Sequence, residues 1–162
     1  MKILVFSDSH GYCDKMIALT RELKLKTTLD YIIHLGDLVR DAKYLQEKFP
    51  DIPVLFVSGN CDYSFDRKEQ EKEYNLGGKK FFILHGQTRG VKFSHESLRA
   101  IAEQKDYDII LYGHTHVPME DYHEGTYIIN PGSINRNSDG SGKSYCVIDI
   151  TGDSVGTRVV RT

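Results

Sequence analysis

The stretch Ile109-Ile110-Leu111-Tyr112-Gly113-His114-Thr115-His116 places two histidines directly after a run of apolar residues. Such a run, ended by glycine and followed by Pro118, is typical of a buried strand that leads into a loop. Two imidazoles separated by one residue suit a metal site better than an apolar core. The pair alone is equally compatible with a loop of two solvated histidines, because short motifs give false positives. The rest of the chain has to separate these two interpretations.

The bulk composition indicates one ordinary globular domain over residues 1–162. Domains commonly contain roughly 100–200 residues, and a chain of 162 residues can bury a full core. The formal net charge of -2 and the pI near 6.4 argue against a broad nucleic-acid surface or an anionic-membrane surface. The composition is compatible with a homo-oligomer.

The cysteines and the start of the chain bear on the cellular compartment. Cys13, Cys61 and Cys146 are odd in number and widely spaced, which is not the pattern of a disulfide framework. Asp8 interrupts the apolar start before a signal-peptide core could form. No apolar stretch approaches the roughly 20 residues that a membrane-spanning helix needs. We therefore expect a cytoplasmic protein with no membrane partner.

Strand patterns and amphipathic helix patterns alternate in the first third of the chain. This alternation, with strands that are apolar on both faces, indicates a parallel sheet covered by helices. Asp14 is placed to be the N-cap of the first helix. The predicted strands cover residues 2–6, 30–35 and 53–57, and the helices between them cover residues 14–24 and 42–49.

The pattern changes in the later part of the chain. Mixed charges over residues 64–74 indicate a solvated loop and the start of an edge strand. The sequence Leu76-Gly77-Gly78-Lys79 is typical of a two-residue hairpin turn. Ser94 is expected to cap a helix that runs to about Lys105. Further strands are predicted over residues 80–84, 109–112, 126–129, 144–150 and 155–160, the last two antiparallel.

Five of these apolar strands are followed closely by groups that can bind a metal ion. In an α/β sheet the ligand site lies outside the carboxyl ends of the strands, so these groups are expected to meet at one rim. Turn chemistry alone would favour Gly, Asn and Ser over His at such positions. The groups are Asp8 with His10, Asp37, Asn60, His85, and His114 with His116.

The number and the type of these groups indicate two ions. Seven ligands are more than one ion usually takes from a protein, whereas two ions bridged by a carboxylate would use them. Carboxylate, amide and imidazole groups without thiolate suit Mn, Fe, Zn or Co better than Ca or Cu(I). Paired ions roughly 3.5–4 Å apart are the arrangement used for phosphoryl displacement.

The motifs resemble, in order, those of the calcineurin-like metallophosphoesterases, and specifically the small single-domain bacterial and archaeal phosphodiesterases of that superfamily. The resemblance spans most of the chain and is specific as a set. It implies an α/β fold, namely a four-layer α-β-β-α sandwich of mixed sheets flanked by helices. The motifs are DSH at 8–10, GD at 36–37, GNCD at 59–62, HG at 85–86, GHTH at 113–116 and NPGS at 130–133.

The resemblance also implies how the ions are held. Asp8, His10, Asp37 and His116 would hold one ion, while Asn60, His85 and His114 would hold the second, with Asp37 bridging the two. A hydroxide that bridges the ions would attack phosphorus in line with the leaving oxygen. Mn is the first expectation for both ions, with Zn, Fe, Ni or Co as alternatives. The glycines expected to act as backbone hinges before ligands are Gly36, Gly59 and Gly113.

Asn60, Cys61 and Asp62 are the candidate catalytic residues. Much of the superfamily carries His at the position of Cys61, although the small subfamily often has Cys. Nearby cations can lower the pKa of a thiol, but a thiol cannot replace an imidazolium as general acid near neutral pH. Slow turnover and a preference for diesters with good leaving groups are expected. In relatives the residue at Asp62 would orient that His, and here a structural role in the turn is favoured. The second departure is Gln87, which stands after the HG motif where relatives often carry another His.

The remaining polar residues receive structural interpretations. His34 is expected to be a core residue with local hydrogen bonds, His95 to lie in the first turn of its helix, and His123 to lie on a polar loop. Asn135 and Arg136 follow NPGS near the rim. Surface solvation is favoured for both over contact with a substrate phosphate.

The leading functional hypothesis is a metal-dependent phosphodiesterase that acts on a small phosphodiester substrate. A phosphomonoesterase or nucleotidase that uses the same site is the alternative among enzymes. A non-catalytic scaffold of the type found in the retromer complex is the alternative from another class. Such a scaffold should have lost histidine ligands, and this sequence keeps all four.

Overall fold

The computed structural model describes residues 1–62 and 67–162. The strands are β1 (Lys2–Phe6), β2 (Tyr31–His34), β3 (Val54–Phe56), β4 (Glu71–Leu76), β5 (Lys79–Leu84), β6 (Ile109–Tyr112), β7 (Met119–His123), β8 (Thr126–Asn130), β9 (Ser144–Thr151) and β10 (Ser154–Arg161). The helices are α1 (Cys13–Lys26), α2 (Val39–Lys48), α3 (Arg67–Gln70) and α4 (Glu96–Gln104), and a short 3₁₀ helix spans Gln87–Arg89.

The strands form two five-stranded mixed sheets. The first sheet has the order β10-β9-β1-β2-β3, in which β1, β2 and β3 are parallel. The second sheet has the order β4-β5-β6-β8-β7, in which β5, β6 and β8 are parallel. The predicted metal ligands follow the parallel strands of both sheets, so two sheets supply the site rather than one.

Side chains on the two faces of each sheet build three apolar cores. On β1, Ile3 and Val5 face the second sheet, while Leu4 and Phe6 face α1 and α2. On the far side of the second sheet, β5 and β6 pack against α4 through residues such as Leu98. Strands buried on both faces read as continuous apolar runs, which is the pattern seen in the sequence. The layers therefore follow the order α-β-β-α, and the predicted fold class is confirmed.

The predicted helices are present, but their starts differ in detail. Asp14 is not the N-cap of α1, because Tyr12 occupies that position; Asp14 lies in the first turn, where its charge favours the helix dipole. Helix α2 begins at Val39, earlier than predicted. Ser94 is not the N-cap of α4, because His95 occupies that position, but Ser94 Oγ accepts a hydrogen bond from the Glu96 amide at 3.1 Å. Within the two described ranges, no helix is both long enough and apolar enough to cross a membrane.

Two regions of the second sheet sharpen the sequence prediction. The first part of the charged run, residues 64–66, lies outside the described residues. Residues 67–70 form the single turn α3 and not a loop. The strand that follows, β4, is an edge strand, as expected. The hairpin turn at Gly77 and Gly78 is confirmed, with φ of 59° and 77°. Strand β7 was not predicted, and it contains His123, which is therefore on an edge strand and not on a loop.

Candidate metal centre

The seven predicted ligands lie in five loops that follow β1, β2 and β3 of the first sheet and β5 and β6 of the second. The structure brings all seven into one cluster. The cluster has two parts. The acidic half consists of Asp8, His10, Asp37 and His116, and the neutral half consists of Asn60, His85 and His114.

Two carboxylates and two imidazoles meet in the acidic half. The His10 Nδ1 atom lies 2.6 Å from Asp37 Oδ2, and His116 Nε2 lies 3.1 Å from Asp8 Oδ1. The Nε2 atoms of the two histidines are 3.3 Å apart. Both carboxylates are almost completely buried, whereas the two imidazoles reach the surface. The acidic half is therefore open on the histidine side only.

The neutral half is centred on the Asn60 side chain. Its Oδ1 atom lies 2.9 Å from His85 Nε2 and 2.8 Å from His114 Nδ1. His85 Nδ1 donates a hydrogen bond to the Leu35 carbonyl at 2.7 Å, which leaves Nε2 as the unprotonated nitrogen. The two halves adjoin where His85 Nε2 lies 3.9 Å from Asp8 Oδ1.

The backbone is strained at the ligands themselves. Six non-glycine residues within the described ranges have positive φ, and five of them belong to the cluster. Non-glycine residues rarely adopt this conformation, and strain of this kind concentrates at functional sites. The five are Asp8 (φ 52°), His10 (φ 47°), Asp37 (φ 87°), His114 (φ 67°) and His116 (φ 55°).

The unsatisfied atoms of the cluster fit a cation. Asp37 Oδ2 is buried and has no hydrogen-bond partner among the described residues, although it lies only 2.6 Å from His10 Nδ1. This separation is short, but the two atoms are not aligned as donor and acceptor. In the neutral half, the lone pair of His85 Nε2 faces the Asn60 carbonyl oxygen. Acceptors turned toward one another in this way are satisfied by a metal ion bound between them.

Charge differs between the two halves. Burial alone would raise the pKa of Asp8, but the hydrogen bond with His116 and the charges of His85 and His116 lower it to about 2. The same hydrogen bond raises the pKa of His116. Burial, followed by the charges of His85 and Lys92, lowers the pKa of His114 to about 4, so this ring is neutral at pH 7. A metal ligand must be deprotonated, and His114 meets that condition.

Close packing explains two glycines that the sequence suggested were hinges. A Cβ atom on Gly59 would lie 2.3 Å from the Asp37 amide nitrogen, and one on Gly113 would lie 2.1 Å from Ser7 Oγ. Neither glycine has a positive φ, unlike Gly36. Gly59 and Gly113 therefore let neighbouring ligand loops approach each other and do not act as hinges.

A buried polar network lies beneath the acidic half. The Gly36 amide donates to His34 Nδ1 at 3.3 Å, so His34 Nε2 carries the proton and donates to Ser9 Oγ at 3.0 Å. Ser9 Oγ donates to Asp41 Oδ2 at 2.6 Å, and the Gly11 amide donates to the same oxygen at 2.7 Å. The expectation that His34 is a locally bonded core residue is confirmed, since it is fully buried. Sequence reasoning missed that its bonds join the loops of Asp8, His10 and Asp37.

The NPGS motif forms hydrogen bonds with two of the ligand loops. Asn130 Nδ2 donates to the Gly113 carbonyl at 2.9 Å and to Thr115 Oγ1 at 3.0 Å. Ser133 Oγ donates to the Asp8 carbonyl at 2.8 Å. The motif therefore ties the GHTH loop of the second sheet to the DSH loop of the first.

Cys61 and Asp62 lie in different surroundings. The exposed Cys61 Sγ lies within 4.8 Å of ligand atoms of His10 and Asp37, so it adjoins the acidic half. A hydrogen bond with Asp37, together with burial, raises the pKa of this thiol to about 11. Asp62 accepts hydrogen bonds from the Val39 amide at 2.9 Å and the Gly59 amide at 3.0 Å. These bonds join the third ligand loop to the first residue of α2.

Three further polar residues have other positions. His95 precedes α4 instead of lying in its first turn, and its Nε2 lies 2.9 Å from the Tyr112 hydroxyl. Gln87 begins the 3₁₀ helix after His85, and its buried Oε1 has no partner among the described residues. Arg136 is exposed and, together with Asn135, lines a pocket beside His10 and His116, near the rim as predicted.

Comparison with known proteins identifies the class to which this fold and cluster belong. Residues 1–153 match the calcineurin-like phosphoesterase superfamily domain. The chain belongs to this superfamily, as its motifs predicted, and is by class a hydrolase of phosphoric esters.

Two curated relatives have similar lengths. The probable metallophosphoesterase YsnB of Bacillus subtilis is 30% identical over 159 residues, which cover 98% of this chain and 89% of YsnB. The phosphodiesterase YfcE of Escherichia coli is 26% identical over 171 residues, which cover 92% of this chain and 88% of YfcE.

Solved structures share the fold. A predicted phosphoesterase from Streptococcus pneumoniae has a TM-score of 0.76 at 27% identity and covers 99% of this chain and 88% of its own. Vps29 from Entamoeba histolytica, in complex with Zn²⁺, has a TM-score of 0.69 at 19% identity and covers 99% of both chains. At that identity the likeness to Vps29 shows the fold alone.

Proposed function

We propose that this protein is a metal-dependent phosphodiesterase whose acidic and neutral halves each hold one divalent ion. Asp8, His10, Asp37 and His116 would hold the first ion. Asn60, His85 and His114 would hold the second, and Asp37 would be shared between them. Mn²⁺ is the proposed ion, because carboxylate, amide and imidazole groups form a set that suits it.

The observation that carries this proposal is the buried Asp37 Oδ2, which lies among ligands of two sheets, 2.6 Å from His10 Nδ1, but accepts no aligned hydrogen bond within residues 1–62 and 67–162. A carboxylate oxygen left without a hydrogen bond in a buried position is costly unless a cation satisfies it. The strained backbone at five ligands supports the same conclusion, because the chain keeps these side chains turned toward one another.

The chain's own residues would position the ligands and admit the substrate. Ser7 Oγ and the His114 amide donate to Asp8 Oδ2, at 2.6 and 2.9 Å, which leaves Asp8 Oδ1 directed at the cluster. The Leu35 carbonyl orients His85 in the same manner. Divalent ions bound here would activate water and neutralise the charge of a phosphate. His10 and His116 border the open side, so we place the entry of the phosphate there.

The preference for diesters rests on Cys61. A thiol whose pKa is raised to about 11 is a weak proton donor at pH 7, so it gives little help to a poor leaving group. Substrates whose leaving group needs no protonation are therefore favoured. We expect bis(4-nitrophenyl) phosphate to be hydrolysed faster than 4-nitrophenyl phosphate. Because both esters release 4-nitrophenolate, the ratio of their rates compares a diester with a monoester and not two leaving groups.

Metal analysis together with activity tests the proposal. The protein purified with Mn²⁺ should contain two ions per chain and hydrolyse the diester. Asp37→Ala should abolish hydrolysis, whereas Asp153→Ala, a matched change in the exposed β9–β10 turn, should leave it intact. Hydrolysis that survives Asp37→Ala would contradict the bridging role.

The same experiment separates the alternatives. A faster monoester would favour a phosphomonoesterase and would refute the role given to Cys61. Absence of hydrolysis on every ester, despite two bound ions, would favour a non-catalytic scaffold.

A further inference from the structure

A polar pocket adjoins the acidic half. It has a volume of about 520 Å³ and is lined by His10, His116, Asn135, Arg136, Asn137 and Ser138, with Gly140. None of the side chains in this lining is apolar. The pocket is therefore suited to a hydrated or charged group and not to an aromatic base.

The loop that forms the outer wall of the pocket is tied to the ligands. The Ser138 amide donates to the His116 carbonyl at 2.7 Å, and the Arg136 carbonyl accepts a hydrogen bond from the His116 ring. Ser133, which also binds the Asp8 carbonyl, accepts a hydrogen bond from the Arg136 amide at 2.9 Å. The backbone of Arg136 is consequently fixed relative to the acidic half.

Besides the imidazoles of His10 and His116, which lie against carboxylates, the described lining of this pocket contains one basic side chain, that of Arg136. No ion pair or hydrogen bond of its guanidinium occurs within residues 1–62 and 67–162. Arg89 and Arg99, by contrast, are paired with Glu71 and Asp121, at 2.6 and 2.9 Å. An arginine without a carboxylate partner, beside a site for phosphate, has the chemistry of an anion-binding residue.

We propose that Arg136 binds a second anionic group on the substrate, so that the preferred substrates are phosphodiesters with a further phosphate on one arm. This inference rests on the proposed phosphodiesterase function. The ester to be cleaved lies at the metal cluster, and the phosphorylated arm extends between His10, His116 and the Asn135–Ser138 segment. The guanidinium forms charge-assisted hydrogen bonds with the terminal phosphate.

Two probes that release the same leaving group test this assignment. They are the 4-nitrophenyl ester of thymidine 5′-phosphate and the same ester with a 3′-phosphate. Because Arg136 is exposed, we expect the 3′-phosphate to lower KM by about three- to tenfold, the range of a solvent-accessible charged contact. Arg136→Gln should bring the ratio of the two KM values close to one, and Arg136→Lys should restore part of it.

Arg21→Gln is the matched control, because Arg21 is also an exposed arginine but lies on α1. This variant should keep the wild-type ratio of the two KM values. Equal KM values for both probes in the wild type would overturn the assignment. A loss of the same size on both probes in Arg136→Gln would also overturn it.

Calorimetry separates failure of this inference from failure of the proposed function. Thymidine 3′,5′-bisphosphate should bind the Mn²⁺-loaded wild type about three- to tenfold more tightly than it binds Arg136→Gln. Thymidine 5′-phosphate should bind both proteins equally. If neither ester is hydrolysed, the phosphodiesterase function fails, and an unchanged Kd in Arg136→Gln would then refute the pocket as well.

Discussion

The acidic and neutral halves occupy one cluster but differ in charge and exposure. The acidic half contains two buried carboxylates and two partly exposed imidazoles. The neutral half contains no carboxylate, and its His114 has a pKa lowered to about 4. Two carboxylates attract a divalent cation more strongly than an amide and two imidazoles do. We therefore expect the acidic half to bind its ion first and more tightly.

The residues that orient the ligands also differ between the two halves. Beneath the acidic half, His34, Ser9 and Asp41 form a continuous hydrogen-bonded network. In the neutral half, His85 is oriented by a single backbone carbonyl, that of Leu35. The ligands of the acidic half are thus oriented by side chains that can be substituted one at a time. The effect of each substitution on metal affinity can therefore be measured.

The largest effect is expected for Asp8→Asn. This change keeps an oxygen that can accept from the His114 amide but removes the charge that the acidic half needs. Loss of several kcal/mol of charge stabilisation corresponds to a fall in kcat/KM of about 10³-fold or more. Steady-state kinetics on bis(4-nitrophenyl) phosphate measures this loss. A decrease below tenfold would contradict the dominance of the acidic half.

His114→Ala should produce a smaller and different loss. The variant lacks one ligand of the neutral half, so it should retain one tightly bound Mn²⁺ per chain and lose the weaker ion. We expect a fall in kcat of about 10²-fold, in line with removal of one preorganised contact. Elemental analysis after dialysis gives the metal content. Retention of two tightly bound ions would show that His114 is not a ligand.

His34→Gln should weaken the acidic half without removing a ligand. The glutamine side chain cannot both accept the hydrogen bond from the Gly36 backbone amide and donate one to Ser9 Oγ with the geometry of the imidazole. Changes in residues that orient ligands typically cost about 10- to 100-fold in metal affinity. Isothermal titration with Mn²⁺ measures the tighter site. His123→Gln on β7 is the control, and an equal loss in that variant would exclude a specific role of His34.

Asp62→Ala should have the smallest effect on metal binding. Its carboxylate accepts from the amide of the first residue of α2, so its removal resembles loss of an N-cap. Such losses cost about 1 kcal/mol, which lowers Tm by about 2–4 °C in a chain of this size. Thermal unfolding and Mn²⁺ titration are compared on the same sample. An unchanged Tm together with weaker Mn²⁺ binding would place Asp62 among the metal-binding residues.

Much of this organisation follows from local sequence patterns. Apolar runs predict most strands because these strands are buried on both faces, and polar residues at strand ends point to the cluster. Strand β7 escapes prediction because Glu120 and Asp121 are charged, and its pairing with β8 along a sheet edge decides its structure. The start of α2 escapes prediction for a related reason, because its partner Asp62 lies 23 residues away in the chain.

The supporting residues of the site are harder to predict than the ligands. Ser9 and Asn130 lie within the DSH and NPGS motifs, but neither the motifs nor the position of Arg136 after NPGS shows which atoms these side chains contact. Their contacts depend on how the first and second sheets pack, which local periodicity does not specify. Ser133, for example, reaches the Asp8 carbonyl across 125 positions of the chain.

A crystal structure of the Mn²⁺-loaded protein, with the ions located by anomalous scattering, tests the division into two halves most directly. We predict two peaks, with His116 bound to one ion, His114 bound to the other, and Asp37 contacting both. A single peak bound by both rings, or two peaks with both rings on the same ion, would contradict this account.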